Sequence, residues 1–292
     1  NEPIVISGIA NSNDHLKINL NNETVETKVG TNGAWKVILP EMEAGGPYKL
    51  IVQSNRSGDI TINKVFIGEV WLASGQSNMA FKTKQIKYAE SIIKDSINPN
   101  IHLFSFEGKA WPGAGAFSKT QLESCNADSY FSASGWEQAT SKNVENFSGI
   151  AYAYAYNLQK ELNIPIGIIH NAVGGSTTQS WISRASMEST HETIDVLNDT
   201  HLHPMVQSWT ANRKIENFEN KDELGIKARH PFDPTMLFDA GINPIKSYPI
   251  KGVIWYQGES NAERVDFHEL LFKMLVKDWR MQWKKPEMPF YY

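Results

Sequence analysis

A single cysteine, Cys125, stands in the 292 residues. It excludes an internal disulfide framework and any metal site built from clustered cysteines. It leaves the compartment open, because large domains outside the cell often lack disulfides. No apolar run approaches the roughly 18 residues that a membrane-spanning helix needs. Lys plus Arg number 28 against 32 Asp plus Glu, a formal charge of −4. With no basic excess to hold a phosphate backbone, nucleic-acid binding is disfavoured. Neither a Walker loop nor a G-x-G-x-x-G fingerprint is present, so nucleotide binding lacks support. G-x-S-x-G is missing too: Ser77 has Gly75 two positions before it but Met79 where the second glycine belongs. The opening Asn1-Glu2-Pro3 has no initiator Met and neither the basic nor the apolar part of a leader, which reads as a processed or trimmed chain.

What is present is ordinary globular material. Apolar residues make up 41% and charged residues 21%, close to the average domain, so whole-chain disorder is disfavoured. The length suits one large domain or two modest ones. Nine tryptophans point slightly towards sugars and equally well to core filling.

Residues 1–64 read as a small β-sandwich. Ile4 and Ile6, then Leu16, Ile18 and Leu20, then Tyr48, Leu50 and Val52, then Ile60 and Ile62 alternate with polar or small residues. Turn signals lie between them, at Asn11-Ser12-Asn13-Asp14, Asn21-Asn22, Gly30-Thr31-Asn32-Gly33 and Gly45-Gly46-Pro47. Residues 65–292 read as an α/β domain. Val65–Ala73, Ile164–His170 and Ile250–Tyr256 are nearly continuous apolar runs, as expected of strands buried on both faces of a parallel sheet. Helical spacing of Ala151, Tyr154, Ala155, Leu158 and Leu162 precedes the second run. Phe267, Leu270, Leu271, Met274, Leu275 and Trp279 follow the third in the same way. Residues 98–147, rich in Gly, Ser, Pro and aromatics, and residues 184–235, polar, charged and partly helical, read as long irregular insertions over the site end of the sheet.

Each apolar run ends in small and polar residues: Ser74–Met79, Asn171–Trp181 and Gln257–Asn261. Ligands of open α/β sheets bind outside the carboxyl ends of the strands, so these three clusters should converge. Acyl transfer needs a nucleophile and donors aimed at a developing oxyanion. Ser77 fits the first role, and as a Ser-Asn turn after a strand it fits a helix N-cap equally. Gly174-Gly175 would let backbone N–H groups approach a substrate, or be only a turn. The Gln257 amide can donate, or be solvated. Glu259 could orient a partner or lie free in solvent. Trp71, Trp181 and Trp255 flank the clusters and read more naturally as core than as a sugar platform. His201-x-His203 has chelating spacing in a polar, exposed setting, which disfavours a metal site there.

Taken together, Gly68–Met79, Val173-Gly174-Gly175-Ser176 with Trp181, and Lys251–Asn261 resemble the sialate O-acetylesterase family of the SGNH (GDSL-like) hydrolases. Asp278-Trp279-Arg280, Met288-Pro289-Phe290-Tyr291 and Ala44–Tyr48 match as well. The resemblance implies a flavodoxin-like three-layer α/β/α core behind the β-sandwich. It implies Ser77 as nucleophile, and an oxyanion hole formed by the Ser77 N–H, an N–H of the Gly174-Gly175 turn and the Gln257 side chain. The reaction would be removal of O-acetyl groups from sialic acid or a related sugar, outside the cytoplasm, without cofactor or metal. An acetylxylan esterase and a silent glycan-binding protein are the rival readings. The family places its catalytic His, often with an Asp three residues earlier, near the end of the domain. None of His15, His102, His170, His191, His201, His203, His230 and His268 has that Asp, so the base is expected after Tyr292. Phe238-Asp239 departs from the family's usual Tyr-Asn.

Overall fold

The structure, a computed structural model, describes residues 2–198 and 203–292. His201 of the His-x-His pair lies outside them. Two compact units are formed, Asn1–Glu69 with Leu162–Pro165, and Val70–Glu161 with Ile166–Tyr292.

The first unit holds β1 (Ile4–Ile9), β2 (His15–Leu20), β3 (Glu23–Lys28), β4 (Ala34–Leu39), β5 (Gly45–Ser54) and β6 (Ile60–Ile67). β1 pairs with β4, and β3-β2-β5-β6 form a second antiparallel sheet. Side chains alternate across a pleated strand, so Leu16, Ile18 and Leu20 of β2 reach the same core as Val37 and Leu39 of β4 and Leu50 of β5. Ile60 and Ile62, on the edge strand β6, stay exposed.

The second unit is built on β7 (Glu69–Gly75), β8 (Asn98–Gly108), β9 (Phe131–Ala133), β10 (Glu137–Ala139), β11 (Ile166–Ala172), β12 (Gly252–Tyr256) and β13 (Phe290–Tyr291). Its sheet runs β10-β8-β11-β7-β12-β13, with β9 also on β8. The pairings β8–β11, β7–β12 and β12–β13 are parallel, and β9 and β10 are antiparallel to β8. The expected α/β class is therefore borne out. β7 is buried from Trp71 to Gly75 on both faces, as its unbroken apolar run requires. Phe267, Leu271, Leu275 and Trp279 recur every four residues and form the buried stripe of the helix Val265–Gln282.

Two readings need correction. The run from Val65 to Ala73 is not one strand: β6 ends at Ile67 and β7 starts at Glu69. Gly68 between them passes so close to Pro165 that a Cβ would lie 1.9 Å from its carbonyl oxygen. Residues 98–147 are not merely irregular either. They contain the 11-residue strand β8, whose Ile101, Leu103 and Phe106 are buried while the residues between are polar or half-buried. With β8 flanked by short antiparallel strands, its pattern alternates and lacks the continuous apolar signature of β7.

The topology locates the site. From β7 the chain fills one side of the sheet with β8 and β11, then crosses to the other side for β12 and β13. The reversal happens at β7, so its carboxyl end opens on a crevice between β11 and β12.

Under that end, His170 of β11 is buried, with Phe147 edge-on at 5.6 Å. Its Nε2 has no partner among the described residues. Burial pushes this imidazole down to about 4, with Lys82 adding repulsion against an opposing Met79 backbone contact. Unfolded, the ring takes a proton near 6.5, so at lower pH the unfolded chain binds more protons than the folded one. Stability from this group is complete above that pH and falls as pH drops towards 4, by about 3 kcal/mol in all. Urea unfolding at pH 7 and pH 4.5 should show a smaller loss for His170→Gln than for the wild type. Equal losses would show that His170 does not titrate this way.

Candidate active site

The site starts at a backbone contact. Gly75, the last residue of β7, lies opposite Tyr256, the last of β12. Its φ is +143°, and a Cβ there would sit 2.1 Å from the Tyr256 carbonyl oxygen, so only glycine fits. The approach lets the Gln76 N–H donate to that carbonyl at 2.9 Å. The buried Gln76 side chain accepts from the Ser260 N–H at 3.3 Å. The chain then turns into the short helix Ser77–Ala80. Gln76 is the cap residue and Ser77 the first helical residue, so the N-cap alternative for Ser77 does not hold. Met79 is buried and anchors the turn, while Ser77 and Asn78 face outward. As first helical residue, Ser77 has an N–H with no intrahelical acceptor.

The second cluster is tied to the same point. Val173 N–H donates to the Gly75 carbonyl at 3.1 Å, and Ser176 Oγ donates to it at 3.3 Å. Between them Gly174 and Gly175 form a tight turn closed by Ser176 N–H to Val173 O at 3.1 Å. Gly175 has φ +74°, the left-handed value of the third position of a type II turn. Trp181 Nε1 donates to Ser176 Oγ at 2.9 Å and fixes that hydroxyl.

The third cluster closes the ring. Gln257 is half-buried, and its amide nitrogen donates to Ser176 O at 3.2 Å and to Asn261 Oδ1 at 2.8 Å. Thr178 Oγ1 donates to Gln257 Oε1 at 2.6 Å and lies 3.2 Å from His268 Nδ1. Because the hydroxyl has one proton to give, that geometry places the ring proton of His268 on Nδ1, donating to Thr178. Asn261 Oδ1 also accepts from Thr178 N–H at 3.0 Å, and its amide donates to Gln179 Oε1 at 3.1 Å. Burial holds the His268 imidazole below its ordinary value, in keeping with a neutral ring.

The structure thus brings the Ser77 turn, the Gly174-Gly175 turn and Gln257 to one end of the sheet through bonds to Gly75, Tyr256 and Ser176. Glu259 is exposed but not idle: Asn78 Nδ2 donates to its Oε1 at 2.6 Å, next to Ser77. Trp71, Trp181 and Trp255 are core. His203 Nδ1 accepts from the Met205 N–H at 3.3 Å. Asp239 takes Arg229 Nη1 at 2.7 Å and Thr235 Oγ1 at 3.2 Å, so the departure at Phe238-Asp239 supplies a partly exposed ion pair. Burial raises the Cys125 thiol to about 12, which leaves it inert. Thr178, Asn261 and His268 were not singled out from the sequence. The first two lay inside the recognised clusters, but their pairing spans 83 positions and no local pattern announces it.

The class these features define is the SGNH-like carbohydrate esterase fold. A carbohydrate acetylesterase from Xanthomonas citri superposes with a TM-score of 0.74 at 26% identity, covering 99% of this chain and 55% of its own. The resemblance to the sialate O-acetylesterase family is borne out. Residues 67–200 match the family model described as carbohydrate esterase, sialic acid-specific acetylesterase. Sialate O-acetylesterase of Rattus norvegicus is 28% identical over 278 residues, covering 88% of this chain and 48% of the relative. That of Homo sapiens is 25% identical over 272 residues, covering 88% and 45%. This chain spans about half the length of the curated relatives it matches.

Because no Cβ fits at Gly75, Gly75→Ala must part β7 from β12 or distort the turn. It should cost about 2–3 kcal/mol or more. Urea unfolding measures it, and a loss below about 0.5 kcal/mol, the size of an ordinary surface change, would contradict the close approach.

Proposed function

We propose that this chain carries the nucleophile of a carbohydrate O-acetylesterase acting on O-acetylated sialic acid or a related sugar. The observation that carries the reading is the exposed Ser77 hydroxyl at the topological reversal of the sheet, one residue beyond the junction that also holds the Gly174-Gly175 turn. The names of the relatives, sialate O-acetylesterase and carbohydrate acetylesterase, supply the substrate class.

Ser77 Oγ attacks the acetyl carbonyl carbon and loses its proton to a base. The carbonyl oxygen becomes an oxyanion, met by the Ser77 N–H, an N–H of the Gly174-Gly175 turn and the Gln257 amide. Of the two bonds Gln257 now donates, the 3.2 Å one to Ser176 O is the longer, and it is the one the oxyanion displaces. Collapse expels the sugar oxygen, which takes a proton, and leaves acetyl-Ser77. Water then attacks the acetyl carbon, and acetate leaves as Ser77 regains its proton. The chemistry needs neither metal nor cofactor.

The base is proposed to be a histidine outside residues 1–292. His170 supports this by being sealed beneath the sheet end. His268, whose Nδ1 bonds to Thr178, keeps Nε2 as an acceptor and is the first of the chain's own histidines to test. Turnover by the 292-residue chain itself, abolished by substituting one of its own histidines with the fold intact, would overturn that part.

In active protein, Ser77→Ala should remove nearly all hydrolysis of O-acetylated sugar while circular dichroism is unchanged. A fluorophosphonate should label Ser77 once. Labelling of a different serine, with Ser77→Ala fully active, would sink the assignment. Gln257→Ala should lower kcat about 10²–10³-fold, the usual effect of removing one oxyanion donor, with KM far less affected. A large rise in KM with kcat intact would instead make Gln257 a ground-state binding group.

A further inference from the structure

We infer that Trp111 and Trp209 form a stacking platform for the sugar ring of the substrate, beside the Gly174-Gly175 turn. The inference rests on the function proposed above and adds the subsite that recognises the sugar. Both indoles lean on the turn. A Cβ on Gly174 would lie 2.3 Å from Trp111 Cζ2, and one on Gly175 would lie 3.3 Å from Trp209 Cη2. The six-membered edges therefore touch the turn. Both residues nonetheless reach solvent, Trp111 52% and Trp209 39% exposed. Large apolar faces left in water next to a polar crevice are a cost unless something covers them.

These rings are held rather than loose. The helix Ser208–Asn217 carries Trp209 in its first turn and ends at the fully buried Asn217. Asn217 Nδ2 donates to Gly113 O at 2.8 Å and Gly115 O at 2.6 Å, pinning the loop that follows Trp111. Glu216, one residue before, accepts from the Gly115 N–H at 2.6 Å. One helix thus sets both aromatics against the same turn. Trp209 is further fixed by its Nε1 donating to the buried Gln207 Oε1 at 2.6 Å, and by Phe232 edge-on at 5.8 Å. A rigid aromatic face loses little freedom when it is covered. A pyranose ring offers a matching surface, with apolar C–H faces and polar edges. The polar setting of the two indoles, with Glu216 and Arg213 on the same helix, favours a sugar over the acyl tail of a lipid.

The platform also explains a requirement at the turn. A side chain at Gly174 would displace Trp111, and one at Gly175 would meet Phe232 Cζ at 2.8 Å and be strained at a φ of +74°, so the backbone N–H groups of the turn lie beside the two indoles. A sugar stacked there would hold its acetyl ester next to the turn, so stacking acts as positioning as well as affinity.

The probes are the methyl α-glycoside of N-acetylneuraminic acid and methyl β-xyloside, titrated into the 292-residue chain. Binding is read from the indole N–H signals of Trp111 and Trp209. Both signals should shift on addition of at least one of the sugars. Trp111→Ala and Trp209→Ala should each weaken binding about tenfold or more, the usual effect of truncating an aromatic anchor, and the Trp→Phe variants should restore most of it. In active protein, the ratio of kcat/KM for the sugar acetate to that for ethyl acetate should fall in parallel. Unshifted indole signals at saturating sugar would overturn the platform, even if an alanine variant fails to fold. So would alanine variants that bind sugar as well as the wild type, or that lose only hydrolysis of a long-chain ester. In protein that extends beyond these 292 residues and carries the base, sugar binding without acetyl hydrolysis would count against the proposed reaction and leave the platform standing. Hydrolysis with an unchanged ratio would do the reverse.

Discussion

The carboxyl end of the sheet depends on the approach of Gly75 to Tyr256. It is a backbone-to-backbone contact with no room for a Cβ, and it places two carbonyls where three strand ends can reach them. Tyr256 O receives Gln76, while Gly75 O receives both Val173 and Ser176. Three loops from distant parts of the chain are thereby held by groups that carry no sequence-specific chemistry. The exposed serine gains its position from this junction, because the turn that presents it cannot move without breaking the strand pairing.

Around the junction, polar side chains take over from backbone. Thr178, Gln257, Asn261 and Gln179 are buried or half-buried, and each has its bonds met by another member of the set. In a low-dielectric setting such a network is stiff when complete and costly when one member is removed. That stiffness is what an oxyanion site needs, since donors aimed in advance require no reorganisation at the moment of reaction.

The sequence showed the central strands because burial on both faces leaves a continuous apolar run. β7, β11 and β12 announce themselves, and so do the polar clusters at their ends. β8 did not, since one of its faces is only half-covered and its residues alternate with Asn98, His102 and Ser105. The break at Gly68 was invisible for another reason: what ends β6 is the carbonyl of Pro165, nearly a hundred positions away. The tryptophans show the same limit. Trp71, Trp181 and Trp255 stood beside the motifs in sequence and belong to the core. Trp111 and Trp209, in the two long insertions expected over the site end of the sheet, are the ones that reach the turn.

The closing motif Asp278-Trp279-Arg280 separates resemblance from chemistry. Asp278 is fully buried and accepts from Ser183 N–H at 2.7 Å and Ser183 Oγ at 2.8 Å. Trp279 Nε1 donates to Trp181 O at 2.9 Å, and Arg280 Nε to Met288 O at 3.1 Å. All three hold scaffold. Yet the helix that carries them also carries His268, which bonds to Thr178. The helix Val265–Gln282 therefore grips the stretch Thr178–Ser183 at both ends, by His268 at its start and by Asp278 and Trp279 near its close. That grip fixes the Thr178 hydroxyl against Gln257. Residues that touch no substrate thus set the aim of the amide, so a motif match in the helix bears on the geometry of the site as directly as one in the loops that line it.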